Sequence, residues 1–314
     1  MSPSERAASV WRQQRGLSLI ELMIAITISL LLLSVVLRGF AATSATTRVN
    51  SVVSEYQTNG RFALETLKRE VRHAALHPMV WDDGQFAPNA TVKARNYGCG
   101  ADVSTDLASG MTAWNDTNPY SASCLAAGTD RVYARGDVLM LRRTALVTAT
   151  VFDANAPYIR VSYGAANLFL GGETAVELPV PFFDYRVVSD LYYVNDFTTS
   201  ATESPKVPAL YRLSLSAGAN PTMVPQLVAS NVEQFQVQFG QVIDAAAGSV
   251  RYFNADQVTD WKSVHSARVW LLMRASERES GFSSGSFQMG DTTYTPNDNF
   301  RRVVLSTTVN LRNL

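Results

Sequence analysis

Three groups of side chains in this sequence have types that could do chemistry, and the first is a histidine pair. His73 and His77 are four residues apart, the spacing that places two ligands on one face of a helix in zinc proteases. Ala74 stands where such a protease carries its catalytic glutamate, and the sequence offers no evident third ligand. The pair therefore predicts a structural role at the end of a helix, where histidines interact favourably with the helix dipole.

The second group is a pair of cysteines, Cys99 and Cys124, both in sequence rich in Gly, Ser and Asn. Their spacing fits no zinc site, because such a site needs four ligands in close pairs. In an oxidising compartment they would close a loop whose disulfide stabilises the fold by roughly 3 kcal/mol. The sequence predicts this disulfide, with two free thiols as the alternative.

The third group consists of acidic loops, one at Asp82, Asp83 and Gly84 and another from Asp291 to Asn299. Their oxygen atoms suit calcium, although neither loop follows the EF-hand spacing. The sequence contains no nucleophile elbow, Walker loop, dinucleotide fingerprint or Cys-x-x-Cys pair. We therefore expect no catalysis and no cofactor. Calcium is the one metal whose binding the sequence suggests.

One further carboxylate, Glu21, lies inside an apolar run from Leu17 to Leu37. Roughly 20 residues are needed to cross a bilayer as a helix, and this run contains neither proline nor glycine. An ionisable group in a membrane costs on the order of 2.5 to 3.5 kcal/mol near the centre and less near the edge. Glu21 therefore predicts a membrane helix whose carboxylate has a charged partner.

The residues before this run are polar. They contain one acid, Glu5, against three basic residues: Arg6, Arg12 and Arg15. Basic residues on this flank favour a cytoplasmic N-terminus and send the bulk of the chain across the membrane. An ordinary secretory signal differs, because its apolar region is shorter and small residues at its far end mark the cut.

The segment from Arg15 to Ala25, RGLSLIELMIA, resembles the class III signal of type IV prepilins and type II secretion pseudopilins. The resemblance implies that a prepilin peptidase cuts after Gly16 and methylates Leu17, and that Glu21 aids docking into a filament. The new amino group would lie one helical turn from Glu21 and could neutralise the carboxylate of its own chain or of a neighbour. Leu17 departs from the commoner phenylalanine. Arg38 stands where major pilins often carry a proline, which points away from a major pilin.

Helical periodicity continues beyond the membrane run and marks one apolar face, formed by Val49, Val53, Tyr56, Ala63, Leu64, Leu67, Val71 and Ala74. Pro78 disfavours helical geometry at the residue before it, so the helix is predicted to end near Leu76. Asn59 and Gly60 mark a point where the helix could bend.

Residues 79–130 lack periodicity and are predicted to form loops, whereas from Arg131 the pattern alternates with a period of two. The predicted strands are 137–142, 145–152, 158–163, 183–188, 191–194, 209–215, 235–239, 267–274 and 302–311. The sequence therefore predicts an α+β fold, in which a long N-terminal helix packs on a domain rich in antiparallel β-sheet.

This second half resembles the body of PilW-type minor pilins, through the runs ALYRLSLS, ARVWLLMR and FRRVVLSTTVNLRNL. The resemblance implies a division into a leader peptide (1–16), a transmembrane and filament-core helix (17–40), an amphipathic helix (41–77) and a periplasmic β-rich domain (78–314). The predicted disulfide lies in a variable region at 79–130.

The resemblance implies a non-enzymatic subunit that primes pilus assembly, sits at or near the pilus tip and supports twitching motility. Its implied partners are the prepilin peptidase, other minor pilins, the major pilin, an inner-membrane assembly platform and a tip adhesin. Before assembly it would span the inner membrane once. Lys plus Arg and Asp plus Glu number 27 each, so the charge balance gives no support to nucleic-acid binding. The alternative is a J-type pseudopilin that caps the pseudopilus of a type II secretion system.

Overall fold

The structure is a computed structural model that describes residues 18–80, 86–87, 89–101, 106–107, 109–126, 131–244 and 248–311. The predicted leader, residues 1–16, lies outside the described residues. The chain divides into two compact units, Met1–Ser51 and Val52–Leu314. A long helix, α1 (Leu19–Arg72), contributes to both units, and a short helix, α2 (Ala90–Ala94), belongs to the second.

The described part of the first unit is helical, and from Leu19 to Leu37 it is apolar on all sides. From Leu19 to Phe40 the large hydrophobic side chains are between 50% and 79% exposed. Leu, Ile and Val dominate this half of α1, so the stripe of polar residues that marks a surface helix of a soluble protein is missing.

The second unit is built from two antiparallel-rich sheets and a hairpin. The larger sheet contains β1 (Phe86–Ala87), β2 (Met111–Trp114), β3 (Tyr133–Thr148), β4 (Pro157–Ser162), β5 (Ala165–Leu170), β6 (Phe182–Asn195), β7 (Ala209–Leu215) and β8 (Met223–Ser230). The smaller sheet contains β9 (Val232–Asp244), β10 (Ser249–Phe253), β11 (Val264–Arg278) and β14 (Phe300–Asn310). The hairpin contains β12 (Phe287–Met289) and β13 (Thr292–Tyr294).

The order in the larger sheet is β1-β5-β4-β6-β3-β2; in addition, β7 pairs with β6, and β8 pairs with β7. The order in the smaller sheet is β10-β9-β11-β14. All pairs are antiparallel except β1 with β5, which is parallel. The fold class predicted from the sequence, a long helix followed by an antiparallel sheet-rich domain, is confirmed.

Strand β3 of the larger sheet is buried on both faces over 136–142, because its side chains alternate between two cores. In β3, Leu139 and Leu141 face the main core, which also contains the smaller sheet and the buried side of α1. Val138 and Met140 face a second core on the opposite side, where the two cysteines lie. The alternation of β3 therefore separates the helix from the cysteine-bearing loops.

The apolar stripe predicted for the second half of α1 packs into the main core. It comprises Tyr56, Ala63, Leu64, Leu67, Val71 and Ala74. Close to the stripe lies Glu70, which the sequence did not single out. Its side chain is buried and its carboxylate accepts a hydrogen bond from Arg143 Nη2 at 3.0 Å. Burial raises the pKa of Glu70, but Arg143 and Arg69 lower it by more, so the net shift is downward.

The predicted end of the helix was wrong by four residues, because α1 ends at Arg72 and not near Leu76. Ala75 takes a left-handed backbone conformation, with φ of 55°, and its N–H donates to the carbonyl of Arg142 in β3 at 3.0 Å. The carbonyl of Leu76 accepts from Thr144 N at 3.0 Å. Strand β3 therefore takes up the backbone groups that would have continued the helix, which also shortens the amphipathic segment predicted over 41–77.

The bend predicted at Asn59 and Gly60 does not interrupt α1, which stays helical through both residues. A Cβ atom on Gly60 would lie 2.4 Å from Leu305 Cδ1 and 2.9 Å from Met273 Sδ. The glycine therefore allows the helix to approach the smaller sheet closely.

Two pairs of predicted strands are each one continuous strand. The predicted strand 137–142 and the first part of 145–152 belong to β3, which ends at Thr148, so residues 149–152 were wrongly predicted as strand. The predicted strands 183–188 and 191–194 are parts of β6. The polar residues that suggested a break in β6, Ser189 and Asp190, are buried. The region 79–130 was predicted as loops but contains α2, β1 and β2.

The two sheets are joined at Gly136 and Asp137 in β3. Gly136 has φ of 83°, and a Cβ atom there would lie 2.5 Å from the carbonyl oxygen of Phe235 in β9. Asp137 is completely buried. Its Oδ2 accepts from Val237 N at 2.7 Å and its Oδ1 from Asp116 N at 3.0 Å. One carboxylate thereby ties β3 to a strand of the other sheet and to a loop.

We predict that Gly136→Ala strongly lowers the free energy of unfolding, because the new methyl group would meet backbone and not a movable side chain. Strained φ values alone cost of order 1–3 kcal/mol. The matched control is Gly218→Ala, since Gly218 has φ of 100° and a methyl group there would have nothing within 4 Å. Denaturant unfolding of the detergent-purified chain measures both. Equal losses in the two variants would contradict the close approach of the sheets.

Asp137 also predicts a pH dependence of stability. Burial raises its pKa to about 8; the N–H groups of Asp116 and Val237 oppose this rise, and the carboxylates of Asp116 and Asp291 add to it. Because the folded-state pKa lies above the usual value of about 3.9, this group favours folding most below pH ~4. Its contribution is lost as the pH rises towards 8.

We therefore expect the melting temperature to change less between about pH 5 and about pH 8 in Asp137→Asn than in the unmodified chain. The variant is less stable at every pH, because an amide nitrogen then faces one of the two N–H donors. The quantity to compare is therefore the slope of the melting temperature against pH in the two proteins. An unchanged slope would show that Asp137 does not titrate in this window.

Candidate functional site

The described residues around Glu21 form a helix cap. Ser18 precedes the first residue of α1, and its Oγ accepts a hydrogen bond from Glu21 N at 3.2 Å. In return Ser18 N donates to Glu21 Oε2 at 3.4 Å. This reciprocal pair is a capping box, which satisfies two N–H groups at the start of a helix. The sequence signal for this capping box is the spacing Ser-x-x-Glu just before an apolar run. The resemblance to prepilins does not include this signal, so the cap was not predicted.

The cap fixes where the carboxylate points. Glu21 Oε2 lies within hydrogen-bonding reach of the backbone N–H of Ser18, one residue after Leu17 in the sequence. The negative side chain also lies in the first turn of α1, where the partial positive charge of the helix dipole favours it. Gly16 and Leu17, the predicted processing residues, lie outside the described residues, and their roles stay predictions.

Two hydroxyl groups in the apolar segment after the cap donate hydrogen bonds to the helix backbone. Thr27 Oγ1 donates to the carbonyl of Ile24 at 2.9 Å, and Ser34 Oγ donates to that of Leu31 at 2.7 Å. Such bonds to the helix backbone hide hydroxyl groups that would be costly in hydrocarbon. Among the described residues, α1 is the one helix long and apolar enough to cross a membrane. These properties fit a membrane anchor.

The structure joins Cys99 and Cys124 by a disulfide with a Cα–Cα distance of 4.6 Å. Both cysteines are buried in the second core, together with Tyr97, Tyr120 and Tyr193. The second core, and the disulfide with it, lies on the face of the larger sheet that points away from the main core. Tyr97 anchors the chain just before Cys99 to the sheet, because its carbonyl accepts from the backbone N–H of Met223 in β8 at 2.8 Å.

The histidine pair does not form a helical ligand set. His73 and His77 both follow the last residue of α1, so the expectation that they occupy the last helical turn was wrong. His77 is buried, with Nε2 at 3.2 Å from the carbonyl oxygen of Leu107. Within the described ranges, no group of three or more His, Cys, Asp or Glu residues is arranged to hold a metal ion.

The two acidic loops suggested for calcium have different outcomes. Asp82, Asp83 and Gly84 lie outside the described residues. In the second loop, Asp291 Oδ2 accepts hydrogen bonds from Asn254 Nδ2 at 2.7 Å and from Asn115 Nδ2 at 3.3 Å. Side-chain amides of the protein thus already contact this carboxylate, and calcium binding remains a prediction.

Two family models match the chain. The model of the prokaryotic N-terminal methylation motif matches residues 11–37, which include the capping box and the apolar segment. The model of type IV pilus-assembly protein W matches residues 191–313, from the second half of β6 through β14. Together the two matches support a type IV pilin-like family for this chain.

A search of solved structures finds a type IV-like pilin from Thermus thermophilus with 12% sequence identity and a TM-score of 0.35. The match covers 82% of this chain and 95% of the other. No curated protein sequence matches the chain. The matched protein W model supports a minor pilin, and a match to this model points to a structural protein.

We predict that replacing both cysteines, as Cys99→Ala with Cys124→Ala, lowers the free energy of unfolding by about 3 kcal/mol. The cysteines are 25 residues apart, and a loop of this size contributes roughly that amount by restricting the unfolded chain. Thermal unfolding with and without reductant measures the effect. A reductant should destabilise the unmodified chain and leave the double variant unchanged. Equal stability of the two oxidised proteins would contradict this role.

Proposed function

We propose that this protein is a minor pilin that primes assembly of a type IV pilus and remains at or near its tip. The observation that carries the proposal is the apolar first half of α1, exposed on all sides and headed by one carboxylate. A helix of this kind needs hydrocarbon around it, which a bilayer supplies before assembly and neighbouring helices supply in a filament. The protein would span the inner membrane once, with residues 78–314 in the periplasm.

Processing prepares this helix for assembly. A prepilin peptidase cuts after Gly16 and methylates the new N-terminus at Leu17. The positive amino group then lies one residue before Ser18, whose N–H already donates to Glu21. Glu21 can therefore pair with the amine of its own chain or of a neighbour. Because an unpaired charge in apolar surroundings is costly, this pair would favour one axial position of the helix in the filament.

Glu21 has two separable roles, and two substitutions distinguish them. Glu21→Gln removes the charge but keeps a side chain that can complete a capping box. Ser18→Ala removes the capping hydroxyl, at a cost of about 1 kcal/mol, and keeps the charge. We predict that Glu21→Gln is cleaved normally but is incorporated into filaments at least tenfold less, whereas Ser18→Ala is incorporated nearly normally.

The measurement is an immunoblot of sheared filaments and of membranes from cells that express each variant in place of the natural protein. Cleavage is read from the shift in mass of the membrane-bound chain. Normal incorporation of Glu21→Gln would overturn the proposed charge pairing. Equal loss in both variants would assign the defect to the helix cap.

A J-type pseudopilin of a type II secretion system is the second candidate, because it shares the signal, the helix and the mechanism. A clean deletion distinguishes the two when surface pili, twitching motility and secreted proteins are assayed in parallel. The minor pilin proposal predicts lost pili and twitching with normal secretion. Lost secretion with normal pili would move the protein to the pseudopilin class.

The proposed partners follow from the same mechanism. They are the prepilin peptidase, other minor pilins, the major pilin and the inner-membrane assembly platform, with a tip adhesin on the exposed end. The role requires no cofactor. It also requires no nucleic acid, in keeping with the balance of 27 basic and 27 acidic residues.

A further inference from the structure

A charged cleft lies where the larger sheet meets the smaller one. It has a volume of about 190 Å³, below the ~300 Å³ at which small-molecule sites begin. Its charged lining consists of Arg135, Asp196, Lys206, Glu233 and Arg274. A cleft of this size has room for one small polar group and not for a whole metabolite.

The carboxylate of Glu233 lines the cleft and is also paired with Arg302. Arg302, whose side chain is fully buried, donates to Glu233 through Nε and through Nη2, the latter at 3.0 Å. Arg302 also forms two hydrogen bonds with Asp298, at 2.6 Å and 2.7 Å. Arg302 is thus shared between two carboxylates, and these three groups together keep one negative charge, which faces Arg274 and Arg135.

Arg274 is the cation that this arrangement leaves least satisfied. Its side chain is 14% exposed, and the closest approach to Glu233 is 3.6 Å. Its Nη2 donates to the carbonyl of Lys206 at 2.6 Å. Within the described part of the chain, its buried Nε has no hydrogen-bond partner. Burial lowers the pKa of Arg274, and Arg302 adds to this effect, while Glu233 and Asp298 oppose it.

The remaining lining charges lie nearer to solvent. Arg135 is 43% exposed on its side chain, and its Nη1 is 3.8 Å from Glu233 Oε1. Lys206 Nζ is 2.6 Å from Asp196 Oδ2. With Arg302 and Asp298 included, four cations face three carboxylates. The cleft therefore carries one positive charge more than its own acids can match.

We propose that this cleft binds a single oxyanion group, a carboxylate or a phosphate, through Arg274, Arg135 and Lys206. Guanidinium and ammonium groups form their strongest hydrogen bonds with such groups. The oxyanion would supply the missing negative charge and give partners to the donors of Arg274. It comes either from a free ion or from an acidic side chain of an adjoining subunit. The second source depends on the proposed pilin function, and the first does not.

The first arm of the test uses the purified full chain in detergent, with inorganic phosphate and acetate as separate probes. The thermal midpoint is followed as each probe is raised at constant ionic strength and pH. Binding should raise the midpoint, and Lys206→Gln or Arg135→Gln should weaken the response about tenfold. The control is Arg251→Gln, an exposed arginine on β10.

The second arm places charge-reversed chains in cells. Lys206→Glu is compared with Arg251→Glu for incorporation into filaments, and each purified variant is checked for an unchanged thermal midpoint. If neither probe binds but Lys206→Glu alone loses incorporation, the oxyanion is a side chain of a partner subunit. If a probe binds and Lys206→Gln weakens it, the site takes a free ion.

Two results would overturn the proposal. One is that neither phosphate nor acetate raises the midpoint and both charge-reversed chains are incorporated alike. The other is that calcium raises the midpoint and the anions do not, which would assign the cleft to Asp196 and Glu233. Failure of the pilin proposal is recognised separately, because the deletion strain would then keep its pili.

Discussion

The first half of α1 is too apolar to remain in water, and the rest of this structure depends on that constraint. Between Leu19 and Phe40, side chains worth about 1.5–3 kcal/mol each on burial are exposed on every side of the helix. In the second half of the same helix the pattern is different. There one stripe, including Tyr56 and Leu67, is buried in the main core. The chain thus folds one part on itself and leaves the other to be covered by lipid or by other chains.

Much of this division could be predicted from the sequence, because it depends on local pattern. An unbroken apolar run gives the anchor, and three- and four-residue spacing gives the buried stripe. The end of the helix could not be predicted in this way. Ala75 and Leu76 lie outside the helix because their backbone groups form hydrogen bonds with Arg142 and Thr144 of β3. The spacing of apolar residues in the sequence does not indicate that contact.

Tertiary contacts also explain the strands that the sequence divided or missed. β6 continues through Ser189 and Asp190 because both residues are paired across the sheet with Arg142 and Leu141 of β3. β5 lacks clear alternation, since most of its residues are buried, and a short apolar run of this kind gives no period. The oxyanion cleft could not be predicted from the sequence for a related reason. Its basic residues Arg135 and Arg274 come from β3 and β11, and Lys206 comes from the connection between β6 and β7, so no local motif unites them.

The proposed assembly mechanism depends on removal of the leader before the helix enters a filament. The most direct measurement is the mass of the N-terminal peptide from protein recovered in sheared filaments. The mechanism predicts a peptide that begins at Leu17 and carries one methyl group on its amine. Filaments in which the chain still begins with the leader residues would contradict it, because a bulky charged leader would then occupy the place assigned to the pairing of Glu21 with a neighbouring amine.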